Sequence, residues 1–355
     1  RYGRCWRRNG MSSEAVLNEE EILLTIAVPT FNGAKTIRMM LDVLLPQCTD
    51  KVEVLISDNC STDQTPEIIL EYQKRYPFIR TVRNEKNLGA DGNYLQCLRM
   101  GRGRFVMLIS DDDIIVDGAV EKITDFLEKH PEVTAAYLES VAFKDEWKGL
   151  AHCHGYSYLP AVEQSYATAD KRVFFQACTR LFGFTSSFVF SKERVRAIEN
   201  PEQFFNTYFL QAYVLVCCTS APNASMGVIH GPCVAIGEYG ILGNYDVALV
   251  EGIYYHRMVD FAVERGYDRD LFEKWYIWKL CHLCREWLTK QRAIGVKKMS
   301  IKNIFLASWR YPKAWLTLYP FALLPGFACK WILKLVRFRQ GRKFTSYVNR
   351  ETEDA

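Results

Sequence analysis

Phe105-Val106-Met107-Leu108-Ile109-Ser110-Asp111-Asp112-Asp113 decides how this chain is read: five apolar residues run directly into a serine and three carboxylates. A short, unbroken apolar run bounded by polar residues fits a strand covered on both faces. The carboxylates then stand together at its C-terminal end. Upstream, the same unit recurs three times. Leu23 to Val28 leads into Pro29-Thr30-Phe31-Asn32-Gly33, Val52 to Ile56 into Ser57-Asp58-Asn59, and Ile79 to Val82 into Asn84 to Gly89. Helical spacing fills the intervals at Lys35–Leu45, Pro66–Tyr76, Asn93–Arg99 and Ala119–Lys129, ahead of a further strand at Thr134–Leu138. Pro66 falls in a first helical turn, where its missing N–H costs nothing. Strands alternating with helices predict an α/β fold, a doubly wound, Rossmann-like, mostly parallel sheet with helices on both faces. Ligands of such sheets bind beyond the carboxyl ends of the strands. Four polar clusters at successive strand ends therefore converge on one edge.

Bulk composition sets limits on function. The 355 residues are 49% hydrophobic, enough for a large core. A net charge of +4 argues against a dedicated nucleic-acid binder, which would carry a strong basic excess. The twelve cysteines are scattered singly through apolar stretches, as reduced, buried cysteines are. Cys281 and Cys284 flank His282, a spacing open to two readings: half a zinc site completed by His152, Cys153 or His154, or a helix facing the core. Residues 1–10 precede Met11, are basic and lack an apolar core region; with the polar stretch to Glu21 they are read as upstream of the fold, and a cytoplasmic location is expected.

Beyond residue 140 the pattern loosens. A turn and strand are expected over Leu181–Ser191, a helix over Phe204–Val216, a strand over Gly227–Ile236, and helical periodicity from Leu249 to Leu288. From Trp309 apolar and aromatic residues crowd together, interrupted by Pro320 and Pro325 and followed by Lys330, Lys334, Arg337, Arg339, Arg342 and Lys343. A spanning helix needs about 20 apolar residues with few charges. The mixture suits an amphipathic, basic tail on an anionic membrane surface; the alternative is a helix packed on the protein with a solvated basic end.

Three adjacent carboxylates raise one another's pKa, and a divalent cation resolves the conflict. Mg²⁺ or Mn²⁺ takes carboxylate oxygens and shares its coordination with substrate phosphates. Asp113 also has the bland reading of a cap for the segment that follows. Asp58, just past a strand, can accept from a base or ribose, whereas Asp63 or Thr62 suits a helix cap ahead of Pro66.

Leu24-Thr25-Ile26-Ala27-Val28-Pro29-Thr30-Phe31-Asn32, Ile56 to Asp63, Asn87-Leu88-Gly89 with Asn93, and Gly103 to Asp113 occur in one order and spacing. Together they resemble the nucleotide-binding half of family 2 glycosyltransferases, with the GT-A fold. A more distant likeness runs to bacterial O-antigen and capsule transferases of the abequosyl- and rhamnosyltransferase type. The resemblance implies a donor pocket of Pro29, Thr30, Asn32, Asp58, Asn59, Asn87, Gly89, Asn93 and Asp111. It implies a metal on Asp112, with Asp111 as a second candidate ligand. Two positions depart from the pattern: Ser110 stands where a first metal-turn carboxylate is usual, and Asn59 replaces the second Asp of the second-strand turn. In this family an acidic residue near a helix start usually takes the acceptor proton. Here that region reads Asn206-Thr207-Tyr208-Phe209-Leu210-Gln211. Glu202, His230 and Glu238 stay open as bases, with Asp246 further on; each also has an ordinary reading, Glu202 as a surface residue and His230 as a strand-end histidine.

The organisation expected is a disordered or upstream segment over 1–21, a GT-A domain over 22–246 (nucleotide half 22–140, acceptor half 141–246), a helical extension over 247–308 and the membrane-associated tail over 309–355. The function expected is an inverting, metal-dependent transferase. It moves a sugar from a nucleoside diphosphate to a lipid-linked saccharide, at the inner face of the cell membrane, in surface polysaccharide synthesis. A nucleotidyltransferase would need a glycine-rich phosphate loop after the first strand, where Gly33 is the single glycine. A non-catalytic nucleotide-sugar-binding module is the third reading.

Overall fold

The computed structural model describes residues 22–144, 146–155, 164–178, 182–237, 246–294 and 300–335. In chain order the strands are β1 (Leu24–Thr30), β2 (Val52–Asp58), β3 (Arg80–Arg83), β4 (Phe105–Leu108), β5 (Ile114–Ile115), β6 (Val133–Phe143), β7 (His154–Gly155), β8 (Tyr166–Thr168), β9 (Phe188–Ser191) and β10 (Ser225–Gly237). They form one sheet in the order β3-β2-β1-β4-β9-β6-β10-β5, with β7 beside β6 and β8 beside β10. Six strands (β3, β2, β1, β4, β6 and β10) run one way; β9, β5, β7 and β8 oppose them. The mostly parallel sheet is therefore as expected. The short antiparallel β5 and β8 carried too little periodic signal to be read from sequence.

Six helices dress the first part of the chain: α1 (Ile37–Leu44), α2 (Thr65–Arg75), α3 (Gly89–Met100), α4 (Ala119–Lys129), α5 (Lys171–Cys178) and α6 (Lys192–Arg196). They are followed by α7 (Leu210–Ser220), α8 (Tyr255–Glu264), α9 (Arg269–Lys279), α10 (Arg285–Ile294), α11 (Ile301–Ser308), α12 (Pro312–Leu323) and α13 (Gly326–Leu335). Each strand side chain points to alternate faces, so a continuous apolar strand supplies two cores. Ile26, Val28, Ile56, Met107 and Leu138 face one core with α1, α2 and α4. Ala27, Leu55, Val106, Leu108 and Tyr137 face the other, which continues through α5, α7, α8 and α9 to Ala314, Leu318 and Ala322 of α12. The C-terminal helices thus extend one face of the sheet.

Two helix boundaries differ from the sequence reading. α3 starts at Gly89, four residues before the expected Asn93; the chain turns into it at Gly89, whose φ of +75° glycine adopts freely. The helix expected over 204–216 begins at Leu210; Asn206 and Tyr208, both at φ +61°, hold the preceding loop out of helical geometry. The long helical stretch after residue 248 breaks at Gly266, with φ +82°.

Candidate functional site

The strand ends meet as expected, and the bonds between them are explicit. The Thr30 hydroxyl donates to Asp111 Oδ2 in a short contact. That carboxylate lies directly over Gly33: a methyl group there would collide with it and stand 2.6 Å from Thr30 Oγ1. Gly33 is therefore needed for close approach, a role the sequence reading did not give it. Asn32, at φ +56°, turns the chain so that its backbone N–H donates to Ser61 Oγ (2.9 Å) and its side-chain oxygen accepts from Thr62 N (2.9 Å). Asp58 accepts from Ser61 N at 2.9 Å, and its second oxygen lies 3.4 Å from Arg83 Nε. Asp63 caps α2 through Thr65 N (3.0 Å) and also accepts from Ala34 N (3.2 Å).

The asparagines form a second layer. Asn59 donates to Asn87 Oδ1 (2.9 Å) and Gly89 O (3.2 Å), and its own oxygen accepts from Asn84 (3.0 Å) and Leu88 N (2.9 Å). Asn93 exchanges bonds with Ser57 at 2.6 and 3.0 Å. Asn59 and Asn93 are buried and their amides are bonded to Asn84, Asn87 and Ser57. Asn59, Asn87 and Asn93 hold the 84–89 loop against the end of β2, while Pro29 stays inside β1, paired with Ser57.

The acidic turn divides by role. Asp113 is buried, accepts from Ser186 Oγ (2.6 Å) and Gly237 N (3.0 Å), and so stitches the turn to β10. Ser186 also accepts from Ser110 N at 3.0 Å. Burial, reinforced by the neighbouring carboxylates, holds Asp113 well above the usual carboxylate range. Asp111 is pushed up to about 7 by burial, which the Thr30 hydroxyl opposes and the charge of Asp112 reinforces. Asp112 is raised by burial. Asp111 and Asp112 remain partly exposed at the edge of the sheet. Their hard oxygen donors fit Mg²⁺ or Mn²⁺. Among the described residues no three His, Cys, Asp or Glu side chains cluster as a complete metal site. A cation on Asp112 would take its other ligands from phosphate and water.

The candidate bases are dispersed. Glu202 is exposed and pairs with Arg99 at 3.3 Å. Arg99 lies eight residues along α3 from Asp91, roughly 12 Å down the helix axis and away from the strand ends. His230 sits in the bulge between Ile229 and Val234 of β10, its Nδ1 3.7 Å from Glu139. Asp246 accepts from Ala248 N (3.0 Å) and Ser300 N (3.1 Å), tying the turn before α8 to α11. Glu238 lies outside the described residues. Cys281 and Cys284 are buried, and His282 stacks on Trp278 with Nδ1 2.9 Å from that residue's carbonyl.

Sequence reasoning passed over Asp91. This α3 carboxylate is only 5% exposed and accepts from Thr207 N (3.0 Å) and Tyr208 N (3.2 Å). It lies two residues after Gly89, but the burial of an acid on a helix face leaves no mark in sequence.

Comparison with known proteins agrees with this architecture. Residues 25–194 match the model for glycosyl transferase family 2. An uncharacterized protein of Mycobacterium tuberculosis is 36% identical over 117 residues, 32% of this chain and 34% of that one. The match thus spans about a third of that relative's length. The abequosyltransferase of Salmonella typhimurium is 23% identical over 262 residues, 71% of this chain and 76% of that protein. Among solved structures, residues 1–349 of Staphylococcus aureus TarS align with a TM-score of 0.54 at 14% identity, covering 78% of this chain and 76% of that one. The same protein in complex with UDP aligns at 0.52 and 16% identity. These structural likenesses speak for the fold, a GT-A-like sheet with a helical C-terminal region. Residues 25–194 form a domain of the glycosyl transferase family 2 type.

Proposed function

We propose that this chain transfers a sugar from a nucleoside diphosphate to a saccharide hydroxyl, with inversion at the anomeric carbon. The observation that carries the reading is the meeting of Thr30, Gly33 and Asp111, with Asp112 beside them, at the carboxyl ends of parallel strands. Thr30, Asn32, Asp58 and Asp111 face the nucleoside, and Asp58 is turned toward Arg83. Asp112 would hold Mg²⁺ or Mn²⁺ against the diphosphate, where a bound cation offsets the charge of the leaving group. The remaining work falls to the chain itself: Asp113, Ser186 and Gly237 fix the turn so that its carboxylates need not reorganise.

The acceptor we propose is lipid-linked, in bacterial surface polysaccharide synthesis, with the enzyme peripheral on the cytoplasmic face of the membrane. Two observations support this. The abequosyltransferase similarity covers most of the chain. The C-terminal helices also expose large apolar side chains: Leu316 is 81% exposed, Phe327 74% and Trp331 68%. Lys302, Arg310, Lys313, Lys330 and Lys334 are exposed among them, and no acidic residue occurs between Glu286 and Glu351. Aromatic and basic residues together suit an anionic headgroup region. No single described helix is long and apolar enough to cross a membrane; α12 and α13 are bent by 115° at Leu324–Pro325.

A panel of nucleoside diphosphate sugars, each with Mn²⁺ or Mg²⁺, tests the reading by thermal stabilisation. A donor at 100 times its Kd adds about 2.7 kcal/mol to stability. Asp112→Ala is expected to abolish the cation-dependent part and to lower transfer by about 100- to 1,000-fold. Binding without any turnover in the wild type would favour the non-catalytic module. Unaltered transfer by Asp112→Ala would remove the metal role.

A further inference from the structure

The transferase reading leaves the acceptor site and its proton acceptor unassigned, and the helix start where an acid was expected, Asn206 to Gln211, contains none. The carboxylate at that place in space comes from another element. Asp91, in the first turn of α3, reaches across to the backbone of Thr207 and Tyr208, immediately before α7. Its Oδ2 takes both N–H bonds, and the backbone N–H groups of Asn206 and Leu210 also act on the carboxylate. Its Oδ1 is buried and has no partner among the described residues. An unpaired buried carboxylate oxygen is costly, and such atoms in a native protein call for a ligand.

The surroundings supply room for one. Asp91 lines a cleft of about 540 Å³ together with Gly89, Tyr208, Leu249 and Tyr254. That volume falls within the range of small-molecule sites, about 300–1,000 Å³. Tyr208 and Tyr254 line it with aromatic rings, the side chains that pack against the C–H face of a pyranose ring, and Arg257 lies over the Tyr254 ring at 5.6 Å. Tyr208 holds φ at +61°, a strained arrangement for a bulky side chain, and such strain gathers at functional sites. The cleft also adjoins the donor side. Gly89 belongs both to its wall and to the loop that Asn59 holds. Tyr94, one turn along α3, is within electrostatic reach of Asp91, Asp111 and Asp112 at once.

We propose that this cleft receives the acceptor saccharide and that Asp91 is the general base of the transfer. The proposal rests on the transferase reading. In the step, the acceptor hydroxyl oxygen forms a bond to the anomeric carbon as the bond from that carbon to the diphosphate oxygen breaks. The hydroxyl proton passes to the Asp91 carboxylate, and the bonding pair leaves with the nucleoside diphosphate. The backbone N–H groups on Oδ2 hold the carboxylate in place, while burial raises it above the usual carboxylate range and makes it a better proton acceptor.

The test is Asp91→Asn in the full chain, assayed with the donor selected by thermal stabilisation. The amide oxygen can still accept from Thr207 and Tyr208, so the loop keeps its anchor. The expected result is a fall in kcat of about 100-fold or more, with donor-induced stabilisation unchanged. A base must be deprotonated to act, so wild-type kcat falls as pH drops through the carboxylate's pKa. The contribution of Asp91 to that limb is expected to be lost in the variant, leaving only the titration of the donor-site carboxylates. An Asp91→Asn enzyme within about threefold of wild type would overturn the assignment. A wild type that binds no nucleoside diphosphate sugar overturns the transferase reading instead, which separates the two failures.

Discussion

The sheet and the C-terminal helices are both rich in large apolar residues, and they dispose of them in opposite ways. In β1, β2 and β4 every side chain is buried, because helices cover both faces of the sheet. In α11, α12 and α13 only one side is covered. Ile304, Leu318 and Cys329 are buried while Phe305, Leu316, Phe327 and Trp331 are not. The polar residues differ too. At the strand ends most of them bond to one another, with Asp112 left partly exposed; on the C-terminal helices they are lysines and arginines spread among exposed aromatics. A region whose polar groups are mutually satisfied is a preorganised site. A region that leaves large apolar side chains exposed is the place to look for a partner.

The largest expected effect tests whether the two regions are energetically one. Phe175 of α5 packs on Phe182, Tyr267 and Phe272, in the core that joins the sheet to the later helices. Phe175→Ala is expected to cost about 3–5 kcal/mol and to shift a single denaturation transition. Two separated transitions would break the comparison, showing helices that fold independently of the sheet. Next comes the donor side alone. Gly33→Ala forces Asp111 from its place, and a displacement of about 1 Å costs on the order of 100-fold in rate. We expect kcat/KM to fall by that factor while vesicle binding stays as it was. The smallest effect on the fold belongs to the surface. Exposed substitutions usually move stability by no more than about 0.5 kcal/mol. Phe327→Ser with Trp331→Ser should therefore leave denaturation unchanged. Cosedimentation with vesicles containing anionic lipid should drop by about 10-fold or more, since each buried aromatic contributes about 1.5–3 kcal/mol. Equal sedimentation of wild type and variant would count against a membrane role for this face.

The strand ends were legible because their signal is local. An apolar run, a stop and a polar cluster all fall within about ten residues, and the carboxyl-end rule gathers successive clusters without further information. The division of labour inside the clusters was not legible. Asn59 looked like a contact for the donor and is bonded to Asn84, Asn87 and the 88–89 backbone. Asp113, open between cap and metal ligand, is fixed by Ser186, 73 residues away, and by Gly237, 124 residues away. Partners at such separations follow from the order of strands in the sheet, which periodicity does not encode. The position of the helix before Gln211 was misjudged for a related reason: its start is set by backbone bonds to a carboxylate on α3.

Sequence alone determined the alternation of strand and helix, the edge of the sheet where chemistry belongs, the run of three carboxylates there and the crowding of aromatics with basic residues near the C-terminus. Each is a property of neighbouring residues, and the chain writes neighbours down. Tertiary structure decided which carboxylates are free and which are spent, why residue 33 must be glycine, and that an acid from α3 stands at the start of α7. Those outcomes depend on burial and on hydrogen-bond partners, and folding alone brings such partners together.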